Sequence, residues 1–218
     1  MREFDAFPQY PPATRIANRT IHNRIAASYR DKEFYDGDRM NGYGGMANDG
    51  RWGAVADNLI KIYGLTNESA VLQIGCHKGF LLDELQKRGV FVRGTEVSEY
   101  ARSQAPDSVR AAIKIAPPFA LPFWINEFDL IVAVSPVYNL TLSDCIKCLR
   151  EIARVGKGKS FITLMAYETD EEMRILRKWA ILGVLIFTKS EWVKVLNHVG
   201  YQGDYRFETV QSLGLVEG

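Results

Sequence analysis

The pentapeptide Gly75-Cys76-His77-Lys78-Gly79 is the feature that most restricts how this chain can fold. It separates an apolar run, Val71-Leu72-Gln73-Ile74, from a helical pattern that reaches Gly89. A strand that enters a helix through a glycine turn is the opening of a βαβ unit. The alternation then continues. Val90–Glu96 reads as a second strand, and Ser98 caps a short helix that Pro106 ends. Ala112–Ile115 and Phe128–Val134 read as further strands. Thr141–Asp144 has the form of a capping box and opens a helix with Cys145, Leu149, Ile152 and Ala153 on one face. Ser160–Ala166 is the next strand. Thr169–Glu172 and Thr188–Glu191 repeat the box ahead of two more helices, and Asp204–Val210 reads as the last strand. Strands alternating with helices predict an α/β domain with a doubly wound, mostly parallel sheet covered on both faces.

The remaining sequence sets the boundaries. With 218 residues, the chain suits one such domain, residues 53–218, preceded by an arm and lid segment over residues 1–52. Pro8, Pro11 and Pro12 make the first twenty residues read as irregular, and residues 21–34 read as a helix. The net charge of +1 lacks the basic footprint of a nucleic-acid binder. The apolar runs are too short to span a bilayer, and Met1–Asp5 has acids and no apolar leader core. A cytoplasmic protein without a membrane or nucleic-acid partner is expected. Cys76, Cys145 and Cys148 are an odd set with no matching histidine spacing, so neither a disulfide framework nor a metal site is expected.

In a parallel sheet, ligands sit beyond the carboxyl ends of the strands. The turn Gly75–Gly79 lies there, and its glycines allow close approach of a ligand. Glu96 ends the second strand about 20 residues later, the separation of an acid that accepts bonds from ribose hydroxyls. The glycines fall at i and i+4, and Phe80 stands at i+5. A dinucleotide loop wants glycines at i, i+2 and i+5, so this spacing disfavours NAD and FAD.

Val71–Leu82 resembles the S-adenosylmethionine (SAM) motif of the class I methyltransferases, an apolar strand followed by an acid and alternating glycines. Gly94-Thr95-Glu96-Val97-Ser98 is similar to that family's second motif. Leu121-Pro122-Phe123 with Phe128-Asp129-Leu130-Ile131, and Glu151-Ile152-Ala153-Arg154-Val155, are similar to two further ones. The resemblance implies a Rossmann-like, seven-stranded-type sheet and methyl transfer from SAM, with S-adenosylhomocysteine as product and no metal. It implies that Gly75, Cys76, His77, Gly79 and Phe80 pass close to the cofactor and that Glu96 holds its ribose. Val97 and Pro117 would flank the adenine, and Ser135 would lie near the transferring methyl. Gln73 stands where the family has an acid, His77 replaces the middle glycine, and Ala116-Pro117-Pro118 replaces a more polar segment.

Tyr35–Trp52 resembles a GYGG…DGRW segment of a subset of that family. Tyr43 could stack on a ligand, and Arg51 could pair with a carboxylate such as that of SAM. Tyr138 and Asn139 follow the Phe128–Val134 strand and are the candidates for orienting or deprotonating an acceptor. The apolar stretch Trp179–Phe187 reads as core, pocket wall or the surface of a homodimer. A small-molecule acceptor, in sugar or natural-product biosynthesis, is the expected partner. Two rivals stand beside this reading: a degenerate methyltransferase fold that serves as a binding partner, and the same fold catalysing another reaction on a nucleotide- or sugar-like ligand.

Overall fold

The computed structural model describes residues 1–7, 14–15 and 18–216. In chain order the elements are β1 (Arg2–Glu3), β2 (Thr14–Arg15), α1 (Ile21–Ser28), α2 (Lys32–Asp36), α3 (Arg51–Tyr63), β3 (Ala70–Ile74), α4 (Phe80–Lys87), β4 (Phe91–Glu96), α5 (Glu99–Ser103), α6 (Asp107–Arg110) and β5 (Ile113–Ile115). They continue with β6 (Leu130–Ala133), a 3-10 turn (Val137–Asn139), α7 (Leu142–Val155), β7 (Ser160–Tyr167), α8 (Asp170–Trp179), β8 (Phe187–Thr188), α9 (Lys189–Val199), β9 (Asp204–Glu208) and β10 (Leu215–Val216).

The main sheet runs β1-β9-β7-β6-β3-β4-β5, with β8 joined to β7. Every pairing between named strands is parallel. β3 lies inside the sheet, between β6 and β4. The strand order reverses between β3 and β6, which opens the ligand crevice at their carboxyl ends. The central strands are buried along nearly their whole length, the mark of a sheet covered on both faces. α7 buries Cys145, Cys148, Leu149, Ile152 and Val155 at helical spacing. Both cysteines are therefore core residues. Thr141, Thr169 and Thr188 each accept the N–H three residues on, so all three helices start where the capping patterns place them.

The N-terminal segment departs from the sequence reading. Arg2–Glu3 is not irregular: it pairs with Asp204 and Tyr205 and covers the sheet edge. Phe4 and Phe7 then pack on Phe161. Pro8, Pro11 and Pro12 lie outside the described residues. The helix expected over 21–34 is two helices, broken where Arg30 takes a left-handed φ of 50°. α1, α2 and the following loop form a lid above the carboxyl ends of β3 and β4. Its own small core holds Ala27, Phe34 and Tyr35, which pack against Ala101, Tyr100, Met46, Ile181 and Leu182. The loop returns onto α2 through Tyr43 N–H to the Phe34 carbonyl and Gly45 and Met46 N–H to the Tyr35 carbonyl. Gly42 makes this return possible, because a Cβ there would lie 1.9 Å from the Phe34 carbonyl oxygen.

Candidate active site

The site is built on the turn after β3. Gly79 caps α4 at φ 72°, and a side chain there would press on Ile113 at 3.1 Å. His77 also has a positive φ, 53°, which strains a residue with a β-carbon. That conformation is held from below. The His77 N–H donates to Glu96 Oε2 at 2.8 Å, and the N–H groups of Val97 and Ser98 donate to Glu96 Oε1 at 2.8 and 3.1 Å. Glu96 is 2% exposed, so its charge is stabilised by these backbone dipoles rather than by water. A carboxylate accepts about four hydrogen bonds. Three backbone donors and the Tyr35 hydroxyl, at 3.5 Å, take these, so a ligand hydroxyl would replace Tyr35.

The lid meets this turn through named contacts. Lys78, nearly buried, places its ammonium 2.6 and 2.7 Å from the two carboxylate oxygens of Asp36 and 2.9 Å from the Met46 carbonyl. Tyr100 donates to the same carboxylate at 2.6 Å. Burial would raise the Asp36 pKa, but these bonds outweigh it and hold it below the usual carboxylate range. Ser98 Oγ donates to the Arg30 carbonyl. The Tyr35 hydroxyl lies 3.2 Å from His77 Nδ1 and 3.5 Å from Glu96 Oε1. Tyr43 stacks on Tyr35 and meets the His77 ring edge-on. Burial lowers the His77 pKa, with Glu96 opposing, so its ring tends to the neutral form. The imidazole is thus part of the lid contact and does not point to solvent.

Beneath the lid, Met46, Trp52, Gln73, Cys76, His77, Phe80 and Leu81 enclose a space of about 20 Å³. Gln73 Oε1 is buried there without a hydrogen-bond partner. An orphaned acceptor costs about 1–3 kcal/mol, which a ligand donor would recover.

A second polar group occupies the carboxyl ends of β6, β7 and β9. Tyr138, on the 3-10 turn after β6, donates to Glu208 Oε2 at 2.8 Å, and both residues are buried. Burial raises the Glu208 pKa above its ordinary value, while bonds from Tyr138 and Thr163 and the charge of Arg206 oppose the rise. Thr163 Oγ1 also accepts from the Ser135 N–H, and Ser135 has a φ of 74°. Tyr43 feels both carboxylates. Desolvation and then Glu96 push its hydroxyl up to about 12, with Glu208 adding to the rise. The roof over Tyr138 is the Trp179–Phe187 stretch, whose Val184 and Leu185 N–H groups donate to the Tyr138 carbonyl.

Of the expected residues, the structure gathers Gly75, Cys76, His77, Gly79, Phe80 and Glu96 on the turn, and Tyr43 above it. Val97 follows β4 and is partly exposed, and Pro117 follows β5. Ser135, Tyr138 and Asn139 follow β6. Arg51 stands apart: it opens α3 and pairs with Asp49 at 2.5 Å. Glu208 was missed in the sequence, although an acid that ends a strand on the ligand side was a signal of the same kind as Glu96.

The fold is the Rossmann-like fold of the class I methyltransferases. Residues 72–164 match the methyltransferase domain family. Solved structures agree on the fold. The YcgJ protein of Bacillus subtilis superposes with a TM-score of 0.56 at 19% identity, over 66% of each chain. A chain from the Haloferax volcanii complex of the Trm112 methyltransferase activator with its methyltransferase gives 0.56 at 17% identity, over 84% of this chain and 77% of that one. The [4+2]-cyclase SpnF gives 0.54 at 18% identity, over 67% and 57%. No curated protein matches the sequence. No described helix is long and apolar enough to cross a membrane.

Proposed function

We propose that this chain transfers the methyl group of SAM to a small-molecule acceptor, at the crevice between the Gly75–Gly79 turn and the Tyr138–Glu208 pair. The observation that carries the reading is Glu96: a buried carboxylate, clamped by the turn itself, at the carboxyl end of the strand beside β3. The donor and acceptor set suits the cofactor. Glu96 would take a ribose hydroxyl, the unpartnered Gln73 Oε1 would accept from the amino group, and Val97 and Pro117 would flank the adenine. The volume suits it only after the lid moves. About 20 Å³ is room for one water, whereas small-molecule pockets measure about 300–1,000 Å³. The Asp36–Lys78 latch is what must release.

When bound, SAM supplies an electrophilic methyl on a sulfonium. The protein's part is orientation and proton handling. Tyr138 and Asn139 would position the acceptor from the β6 side, with Tyr43 above it. Tyr138 Oη would take the acceptor's proton as its own passes to Glu208 Oε2, a carboxylate made more basic by burial. Arg51, already paired with Asp49, is not needed.

The test is methyl transfer from labelled SAM to a panel of hydroxyl- and amine-bearing small molecules. Transfer that is lost in Tyr138→Phe and Glu208→Gln supports the reading. A second reading, another reaction on the same fold, draws on the neighbour SpnF, which is a cyclase. Conversion of an acceptor without consumption of SAM would favour it.

A further inference from the structure

The bend between α1 and α2 carries a cation with no partner of its own. Arg30 turns the chain there at a φ of 50°, one residue beyond the α1 cap. Glycine or asparagine adopts that conformation at lower cost. The arginine is held in it from both sides. Its N–H donates to the Ala27 carbonyl at 3.1 Å, and its carbonyl accepts from Ser98 Oγ, just past the end of β4. The residue is half-buried, and its guanidinium has no hydrogen bond, ion pair or ring contact among the described residues.

Its charge reaches under the lid. At Tyr35, Tyr43 and His77 burial is the largest influence on the pKa and Glu96 the second, and the charge of Arg30 opposes that of Glu96 at all three. At the Tyr43 hydroxyl Arg30 counts for more than Glu208. Lys78 and Arg39, close by, are engaged, with Asp36 and with the Gly42 carbonyl. One bland account is that Arg30 only complements the negative carboxyl end of α1. A cation with that task alone sits in water, as Lys32 does two residues on, and would not bear on Tyr35, which is fully buried.

We propose that Arg30 anchors a carboxylate of the methyl acceptor, which makes that acceptor a small organic acid. The inference rests on the crevice being a SAM site. Two buried carboxylates, Glu96 and Glu208, border the crevice and would repel such an acceptor unless a cation answered them. A guanidinium offers paired N–H donors that match a carboxylate. The carboxylate of SAM itself is a poorer fit. It travels with the amino group, whose proposed acceptor is Gln73 on β3, whereas Arg30 is tied to Ser98 beyond β4 and acts on Tyr43.

Calorimetry tests this with benzoate as the probe and benzamide as its neutral counterpart. The whole chain is first saturated with S-adenosylhomocysteine, and each probe is then titrated in. Benzoate should saturate, and benzamide should bind about tenfold more weakly. In Arg30→Gln the two should bind alike and weakly, with the affinity for S-adenosylhomocysteine unchanged, which also shows that the variant is folded. Lys32→Gln should behave as the parent. If the parent does not bind S-adenosylhomocysteine, the SAM site falls and the proposal with it. Binding of S-adenosylhomocysteine without saturation by millimolar benzoate overturns the proposal alone, as does equal benzoate binding by Arg30→Gln and the parent. Weaker S-adenosylhomocysteine binding in Arg30→Gln overturns it too, because Arg30 would then belong to the cofactor.

Discussion

The two halves of the sheet each end in a buried glutamate, and the two are held in opposite ways. Glu96, closing β4, accepts three backbone N–H groups and fixes the turn that those groups belong to. Glu208, closing β9, is bonded by the hydroxyls of Tyr138 and Thr163, and burial raises its pKa. Backbone donors cannot titrate or leave, so Glu96 is a fixed part of the scaffold. Hydroxyl donors can rotate and exchange protons, so Glu208 can change state. The contrast matches the proposed division of binding to the β3–β4 half and proton handling to the β6–β9 half.

The largest effect is expected at Glu96. Glu96→Ala orphans three N–H groups, that of Ser98 buried, and releases a strained His77, so unfolding in urea should show a loss of about 3 kcal/mol or more. A loss below about 1 kcal/mol would show that the turn holds itself and that the contrast is misplaced.

Asp36→Asn should come next. It leaves the buried Lys78 ammonium without its counter-charge, at a cost of about 1–3 kcal/mol. The loss should concentrate in the lid, read as faster amide exchange over residues 31–46 and little change in β3. Because the Asp36 pKa is depressed in the fold, its contribution is present above the ordinary carboxylate range. It fades as pH falls through the lower, folded value. The Asn variant should therefore converge with the parent in acid.

Glu208→Gln sharpens the other half. An acid whose pKa is raised by folding costs stability once pH climbs above its unfolded value, and the cost is complete above the folded one. The variant lacks this term, so its stability relative to the parent should rise from acid to neutral pH. A flat difference across that range would mean that Glu208 is not desolvated as described. The smallest effect is expected for Arg51→Ala, whose exposed pair with Asp49 contributes about 0–1 kcal/mol and touches neither glutamate.

The two halves were also unequally legible. The glycine turn and Glu96 could be read because spacing along one βα unit is a local property. The capped helices and the parallel sheet follow from the same local patterns. Glu208 could not be assigned a role, because its partner Tyr138 lies 70 residues away and only the sheet brings them together. The Asp36–Lys78 latch spans 42 residues and was hidden for the same reason. In the sequence His77 only stands in place of a glycine close to the cofactor; in the fold its ring engages Tyr35 and Tyr43 of the lid. β1 was unreadable because two residues have no periodicity.

The central claim is that the turn and Glu96 receive SAM once the lid unlatches. Titration of S-adenosylhomocysteine into the parent protein and Asp36→Asn tests it most directly. If the open form is the minor one, apparent affinity scales with its population, and the Asn variant should bind several-fold more tightly. Saturable binding by both proteins, tighter in the variant, is the predicted result. Absence of binding by both would contradict the account.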